Sequence, residues 1–539
     1  MTNIKGAPTV TSSKTSRTET FHQARWNEPL IFELHSPGES GIVVNEADRA
    51  VVAEAGDAVE KIPKAMRRSK PPALPELSQR QVLKHYLRLS QQSLGADLNV
   101  DIGQGTCTMK YNPKINEELV RDHKLSEVHP LQGDSTIQGS LEIMHKTDLL
   151  LREISGLDRF SFQPRSGTHA ILTMASIVRA YHETKGVEGK DQIITTMFSH
   201  PSDAAAAHVL GYEIISLEQN PETGLPDIED LRAAIGSRTA ATFITNPEDT
   251  GIFNPRIAEF TAMIHDVGGL CCYDQANANG ILGITRAAEA GFDMCFFNMH
   301  KTFSIPHACG GPAMGAVGAR EYLVPFLPRP LVEFDGERYR LNHDMPRSIG
   351  KIGAFLGVVP AVMRAYAWMM SLGAEGLREV ARVAVLNNNY LLHKILKIRG
   401  VSAPYAEGER RIEQVRYSWQ ELYEQTGVRT GDITNRMCDH GMHMWSSHHP
   451  FIVPNPMSLE PTEAYSMTEL DEYIAALQSV SDEAYSDPET VLSAPHRSCI
   501  HKVNQDSFDD PARWAITWRA YLKKKKAGGG GSATGSSKE

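Results

Sequence analysis

The stretch "GLCCYDQANANGILGITRAAEAGFDMCFFNMHK", residues 269–301, holds two short apolar runs, "GLCCYD" and "MCFFNM", on either side of the small-residue segment "TRAAEAG". Short apolar runs bounded by glycine, asparagine and aspartate read as buried strands, and the alanine-rich piece between them reads as a short helix. The same alternation extends outward, from about residue 156 to 325. There "QIITTMF", "YEIISLE" and "AATFITN" alternate with "SDAAAAHVLG", "DIEDLRAAIG" and "IAEFTAMIHDVGG". Strands and helices repeating on this scale predict βαβ units, a mostly parallel sheet and an α/β fold.

The flanking segments differ in character. Residues 40–70 read as helical around "EADRAVVAEAGDAVEKI" and give way to the proline-rich "SKPPALPELS". The segment "SQRQVLKHYLRLSQQSLG" predicts an amphipathic helix capped by Ser78, and 134–155 predicts helices with one apolar face. Helices dominate 348–397, and short strands and helices alternate from there to about residue 500, as in a smaller α+β domain. The expected organisation is a disordered, Ser/Thr-rich terminus over 1–20 and an N-terminal helical extension over 21–130. A large domain follows over 131–345, then a small C-terminal domain over 346–522 and a flexible tail or linker over 523–539.

Composition excludes several classes. A formal net charge of −10 argues against a nucleic-acid partner, which needs a basic surface. The most apolar stretch, "GAFLGVVPAVM", is short and contains Pro360, so no membrane span is expected. Seven cysteines without a repeating framework, and no signal-like apolar region at the start, fit reduced thiols in a cytoplasmic compartment.

Ligands of open parallel sheets sit beyond the carboxyl ends of the strands. Here those ends carry Ser199-His200, Asn246, Asp274 and His300-Lys301, while Ser166-Gly167-Thr168 stands where a long helix begins. Taken singly, these are caps, turn residues and hydrogen-bonded histidines. Taken together, they fit one cofactor, pyridoxal 5'-phosphate. Lys301 suits the Schiff-base amine, because desolvation favours its neutral form. Asp274 suits the partner of the pyridinium nitrogen and His200 the ring stack. Ser166, Gly167 and Thr168, with Thr302 added, suit the phosphate at a helix N-terminus. His200, His300 and His307 are the acid–base candidates. Neither His300, His307 and Cys309 nor the histidines of "DHGMHMWSSHH" have the spacing of a zinc site, so no metal is expected.

At these residues the chain resembles the glycine dehydrogenase (decarboxylating) family, the P-protein of the glycine cleavage system, in its split subunit 2 form. The resemblance runs from about residue 24 to 500. It rests on "ARWNEPLIFEL", "TCTMKYNPKINEEL", "ISGLDRFSFQP", "CCYDQANANGILG", "NMHKTFSIPHACGGPAMG", "RSIGKIGAFLG" and "FIVPNPMSLEPTEAYS". It implies the type I fold of aspartate aminotransferase-like enzymes. It implies Lys301 as the cofactor lysine, Asp274 at the pyridine nitrogen, His200 on the ring and Ser166–Thr168 around the phosphate. The implied activity is glycine decarboxylation with transfer of the aminomethyl group to the lipoyl arm of an H-protein. The implied partner is a related subunit 1, in an oligomer.

The departures from the family cluster at the same strand ends. "FSHPSDAAAA" stands for "SAHGTNPASA", replacing a Thr-Asn pair with Ser202-Asp203, and Gln275 replaces a glycine beside Asp274. These motivate an alternative expectation. It is a divergent enzyme with the same cofactor, acting on another amino acid by decarboxylation, retro-aldol cleavage or side-chain exchange without a lipoyl partner.

Overall fold

The computed structural model describes residues 21–42, 44–56, 58–95, 102–103, 110–129, 132–306, 313–444, 453–499, 502, 510 and 514–527. Two compact units divide the chain. The larger takes in Gly95–Ala494, and the smaller combines Phe21–Leu94 with Pro495–Glu539.

The apolar runs form a seven-stranded sheet in the order β1-β7-β6-β5-β4-β2-β3. Its strands are β1 (Arg159–Ser161), β2 (Gln192–Thr196), β3 (Glu213–Leu217), β4 (Thr239–Thr245), β5 (Leu270–Gln275), β6 (Met294–Asn298) and β7 (Gly315–Ala319). Strands β2 to β6 pair in parallel, whereas β7 runs antiparallel to both β6 and β1. Two helices leave the expected pattern intact, Ile228–Ala234 and Ile257–Asp266. The segment "TRAAEAG" does not form one. It folds as turns between Gly283 and Gly291, whose φ values of 68° and 87° end the chain's helical path on both sides. Seven residues between two such breaks cannot recover the cost of nucleating a helix.

Both faces of the sheet are covered, which is why its strands read as continuous apolar runs. Side chains alternate along each strand. Cys271, Tyr273, Cys295 and Phe297 enter one core with the helices Gln138–Ser155 and Val359–Ile395. Cys272, Met294 and Phe296 enter the other with the helices Gly167–Thr184 and Pro201–Val209. A fully buried Phe or Leu contributes about 1.5–3 kcal/mol to such a core.

The run Val359–Ile395 is two helices meeting at Gly373, where φ is 65° and ψ is −178°. Beyond it, a third core gathers on the two-stranded sheet of β10 (Val415–Ser418) and β11 (Pro456–Leu459) and on the helices Thr430–Cys438 and Met467–Ser486. A further hairpin pairs β8 (Leu331–Phe334) with β9 (Tyr339–Asn342). In the smaller unit, Ser78 caps the helix Gln79–Gln91 as its sequence predicts, and Gln81 closes the capping box. No helix among the described residues is long and apolar enough to cross a membrane.

Candidate functional site

Strands β2, β4, β5 and β6 end on one edge of the sheet, and the strand-end residues gather there. Alternation sends Asp274 to the same face as Cys272, the face covered by the helix Pro201–Val209. Asp274 is buried, and its Oδ1 accepts the Ala276 N–H at 2.8 Å. Burial pushes this carboxyl above its ordinary range, while the Ala276 N–H and the charge of Lys301 pull it back.

Lys301 is buried just past β6, its N–H bonded to the Asn298 carbonyl at 2.9 Å. The preceding residue fixes that turn: Nδ1 of His300 meets the backbone N–H of Met314 at 3.0 Å and its carbonyl at 3.1 Å. The ammonium of Lys301 interacts with two buried carboxyls, Asp274 and Glu413. Glu413 comes from the approach to β10 and accepts the Gly280 N–H at 3.0 Å. Burial, together with the neighbouring charge of Glu460, pushes Glu413 well above the ordinary carboxylate range. Glu460 follows β11 and accepts a hydrogen bond from Asn277 in the turn after β5. The second sheet thus places two acids over the turn that leaves Asp274.

The helix Gly167–Thr184 starts beside β6. Ser166 caps it, its Oγ accepting the His169 N–H at 3.1 Å. A Cβ on Gly167 would lie 2.8 Å from Nδ2 of Asn298, so backbone amides and an asparagine meet here at a distance only glycine permits. First-turn N–H groups lack intrahelical acceptors and suit an anion.

The remaining expected residues have defined surroundings. His200 caps the helix Pro201–Val209, its Nδ1 against Ser202 Oγ at 2.6 Å and the Ser202 N–H at 3.1 Å. The side chain of Asn246 bridges its own loop, accepting the Asn254 N–H at 2.8 Å and donating to the Asn254 carbonyl at 3.2 Å. Thr302 Oγ1 accepts the Ala278 N–H at 2.9 Å, which ties it to the turn after β5. His307 and Cys309 lie outside the described residues, as do His448 and His449.

Three acids that the sequence did not point to as cofactor contacts belong to this edge. Asp203 is fully buried and touches Asp274. Glu248, in the loop after β4, accepts from Thr196 Oγ1 at 3.1 Å, and burial pushes it up to about 8. Glu413 is the third. Glu248 and Asp203 follow strands closely enough for the strand-end rule to reach them. Glu413 precedes its strand, so that rule passes over it.

A separate cluster brings His265, Cys271 and Asp293 together at the opposite, amino-terminal edge. Asp293 is already engaged: it accepts from His265 Nε2 at 2.9 Å, from the Cys271 N–H at 2.7 Å and from the Tyr322 hydroxyl at 2.5 Å. Arg320 also lies 3.9 Å away, so this is a structural ion-pair hub.

The residues present fit pyridoxal phosphate. A buried lysine and a buried carboxylate lie within reach of each other's charge at the strand ends, and a nearby helix start carries a glycine with no room for a side chain.

Comparison with known proteins bears on the same segments. A family model described as "Aminotransferase class-V" matches residues 164–310. Another, described as "Glycine dehydrogenase, C-terminal domain", matches residues 380–496. The chain is 42% identical over 503 residues to the probable glycine dehydrogenase (decarboxylating) subunit 2 of Pyrococcus horikoshii, covering 93% of this chain and 98% of the relative. It is 38% identical over 477 residues to the protein of the same description from Alkaliphilus oremlandii, covering 88% and 96%. Among solved structures, a glycine decarboxylase (P-protein) of the glycine cleavage system in inhibitor-bound form superposes with a TM-score of 0.68 at 20% identity. That match covers 81% of this chain and 100% of the other. A NifS-like protein gives 0.54 at 16% identity, covering 70% and 98%. At these identities the structural matches speak for the fold, which is that of type I pyridoxal-phosphate enzymes.

Proposed function

The chain belongs to the glycine dehydrogenase (decarboxylating) subunit 2 family, and from that premise we propose that it decarboxylates glycine with pyridoxal phosphate and passes the aminomethyl group to the lipoyl arm of an H-protein. What supports the reading most is the meeting of Lys301 with Asp274 in a buried setting at the carboxyl ends of β6 and β5. When bound, the cofactor supplies an electron sink for the pair released as carbon dioxide leaves.

The chain's own residues do the rest. Lys301 would present the amine for the cofactor's aldehyde from a buried position. Asp274 would keep the ring nitrogen protonated, its Oδ1 already held by the Ala276 N–H. Ser166, Gly167 and Thr168 offer hydroxyls and first-turn amides to the phosphate. His200, its Nδ1 held by Ser202, would cover the ring. His300 serves by holding the turn of Lys301 against Met314. Glu413, kept neutral by burial and by Glu460, would close the site beside Lys301 without adding a second charge there. A related subunit 1 completes the assembly, and the location is cytoplasmic. Family membership does not favour a different amino-acid substrate.

Two measurements test the proposal. The purified chain with added cofactor should show a visible absorption band that disappears in Lys301→Ala. With subunit 1 and lipoylated H-protein present, labelled bicarbonate should exchange into the glycine carboxyl group, and Lys301→Ala should lower that rate at least about a thousandfold. A correctly assembled complex that shows the band but no exchange would remove glycine as the substrate.

A further inference from the structure

Asp203 stands three residues past His200 in the helix Pro201–Val209, where the family resemblance places an asparagine. It is fully buried, with 0% of its surface exposed. Neither carboxyl oxygen has a hydrogen-bond donor among the described residues. Its neighbour is the carboxyl of Asp274. Two carboxylates in contact are both acceptors and repel, so the contact becomes a hydrogen bond only when one of them carries a proton. The surroundings decide which. Asp274 has the Ala276 N–H and the Lys301 ammonium to stabilise its charge. Asp203 faces Asp274, Glu248 and the thiol of Cys272, and none of these favours an anion. Burial and those charges push Asp203 well above the ordinary carboxylate range.

We propose that Asp203 is a positioning residue that acts through Asp274, holding a proton and donating it to one oxygen of that carboxylate. The inference rests on the reading of Asp274 as the partner of the cofactor's ring nitrogen. The donated bond keeps Asp274 ionised and oriented, so the pair carries one negative charge against one pyridinium. The amide of the family's asparagine would do this at any pH. A carboxyl does it only while protonated, so this chain's cofactor affinity acquires a pH dependence that an asparagine would lack.

The test compares wild type with Asp203→Asn and Asp203→Leu in the full chain. Cofactor dissociation constants are read by absorbance and fluorescence from about pH 6 to 9. Asp203→Asn, whose amide donates to Asp274 as the protonated carboxyl does, should bind the cofactor within about threefold of wild type at pH 6, and a rise in the wild-type constant relative to it toward pH 9 would mark loss of that donor. Asp203→Leu, which cannot donate, should bind the cofactor about tenfold more weakly throughout. An Asp203→Leu variant that binds like wild type, or an Asp203→Asn variant that binds as weakly as Asp203→Leu at pH 6, overturns the proposal.

Melting of the cofactor-free chain gives a second readout. A carboxyl whose folded pKa is raised lets stability fall as pH rises from its unfolded value toward its folded one. Asp203→Asn should therefore melt several degrees above wild type near pH 8, with the gap closing toward pH 4. Equal melting at both pH values overturns the proposal. If instead the visible band never forms, or survives in Lys301→Ala, the cofactor assignment fails while the melting comparison still decides whether Asp203 holds a proton.

Discussion

Asp293 shows how a buried acid can be fully engaged by its own neighbours. It sits at the amino end of β6, the far edge from Lys301, and takes three donors from His265, Cys271 and Tyr322. Its carboxylate raises the pKa of His265 by hydrogen bonding and charge. A raised histidine contributes stability that is present below its unfolded value and lost as pH rises through its folded one. Asp293→Asn should thus destabilise the chain by about 3 kcal/mol in urea unfolding, more at pH 5.5 than at pH 9, and leave the visible band in place. Loss of the band in a folded Asp293→Asn chain would contradict this division between the two edges. The same contrast shows what single residues disclosed. Lys301 and Asp274 were legible because strand ends are where a parallel sheet keeps its ligands. The histidines were legible as candidates only. Whether a ring nitrogen meets Met314 or a substrate depends on packing from β7, which lies more than ten residues downstream.

At the scale of elements, the parallel strands announced themselves, and β7 did not. Its sequence "GAVGA" looks like a loop because two of five residues are glycine. Their reason is spatial. A Cβ on Gly318 would lie 2.3 Å from the ring of Phe160 on β1, and one on Gly315 would lie 2.9 Å from the Ser166 carbonyl. The phenyl ring fills the place of the missing side chain, so a strand with poor local propensity forms through its neighbours. Gly251 tells the same story in the loop that carries Asn246 and Glu248. Its φ is +81°, and an added Cβ would sit 1.9 Å from the carbonyl oxygen of Gln414. Gly251→Ala should cost at least about 3 kcal/mol and weaken cofactor binding, because the loop must withdraw from Gln414, the residue that leads into β10. Urea unfolding and cofactor titration of the same variant check both effects. An unperturbed midpoint would mean that the loop and Gln414 do not share this contact.

For the whole molecule, the telling quantity is where apolar surface stays exposed. Among the described residues, more than half of the large apolar side chains left in solvent belong to the smaller unit, which is well under a third of the chain. They are ordered into a pattern on the helix Gln79–Gln91. Its inward side carries His85 and Arg88, both bonded to Glu28 at 2.7 and 2.9 Å. Its outward side shows Leu83, Tyr86 and Leu87, exposed to 60%, 56% and 53%. Spacing of three and four residues makes these neighbours on one helical stripe. A stripe of this kind is too apolar for a surface meant to stay wet. The sequence disclosed the helix and its cap, but the stripe's role could not be read there, since an amphipathic pattern does not say which partner covers it. The partner that the proposed function calls for, a related subunit 1, is the one to test here. Mixed with it, the chain should give a light-scattering mass well above that of one copy of each. The Leu83→Glu, Leu87→Glu double variant should lower the association constant at least about a hundredfold, because each charge replaces buried apolar area with a desolvated carboxylate. The unmixed variant should melt within a few degrees of wild type, since neither leucine is packed. Full assembly by that variant would move the interface elsewhere and leave this stripe without a function.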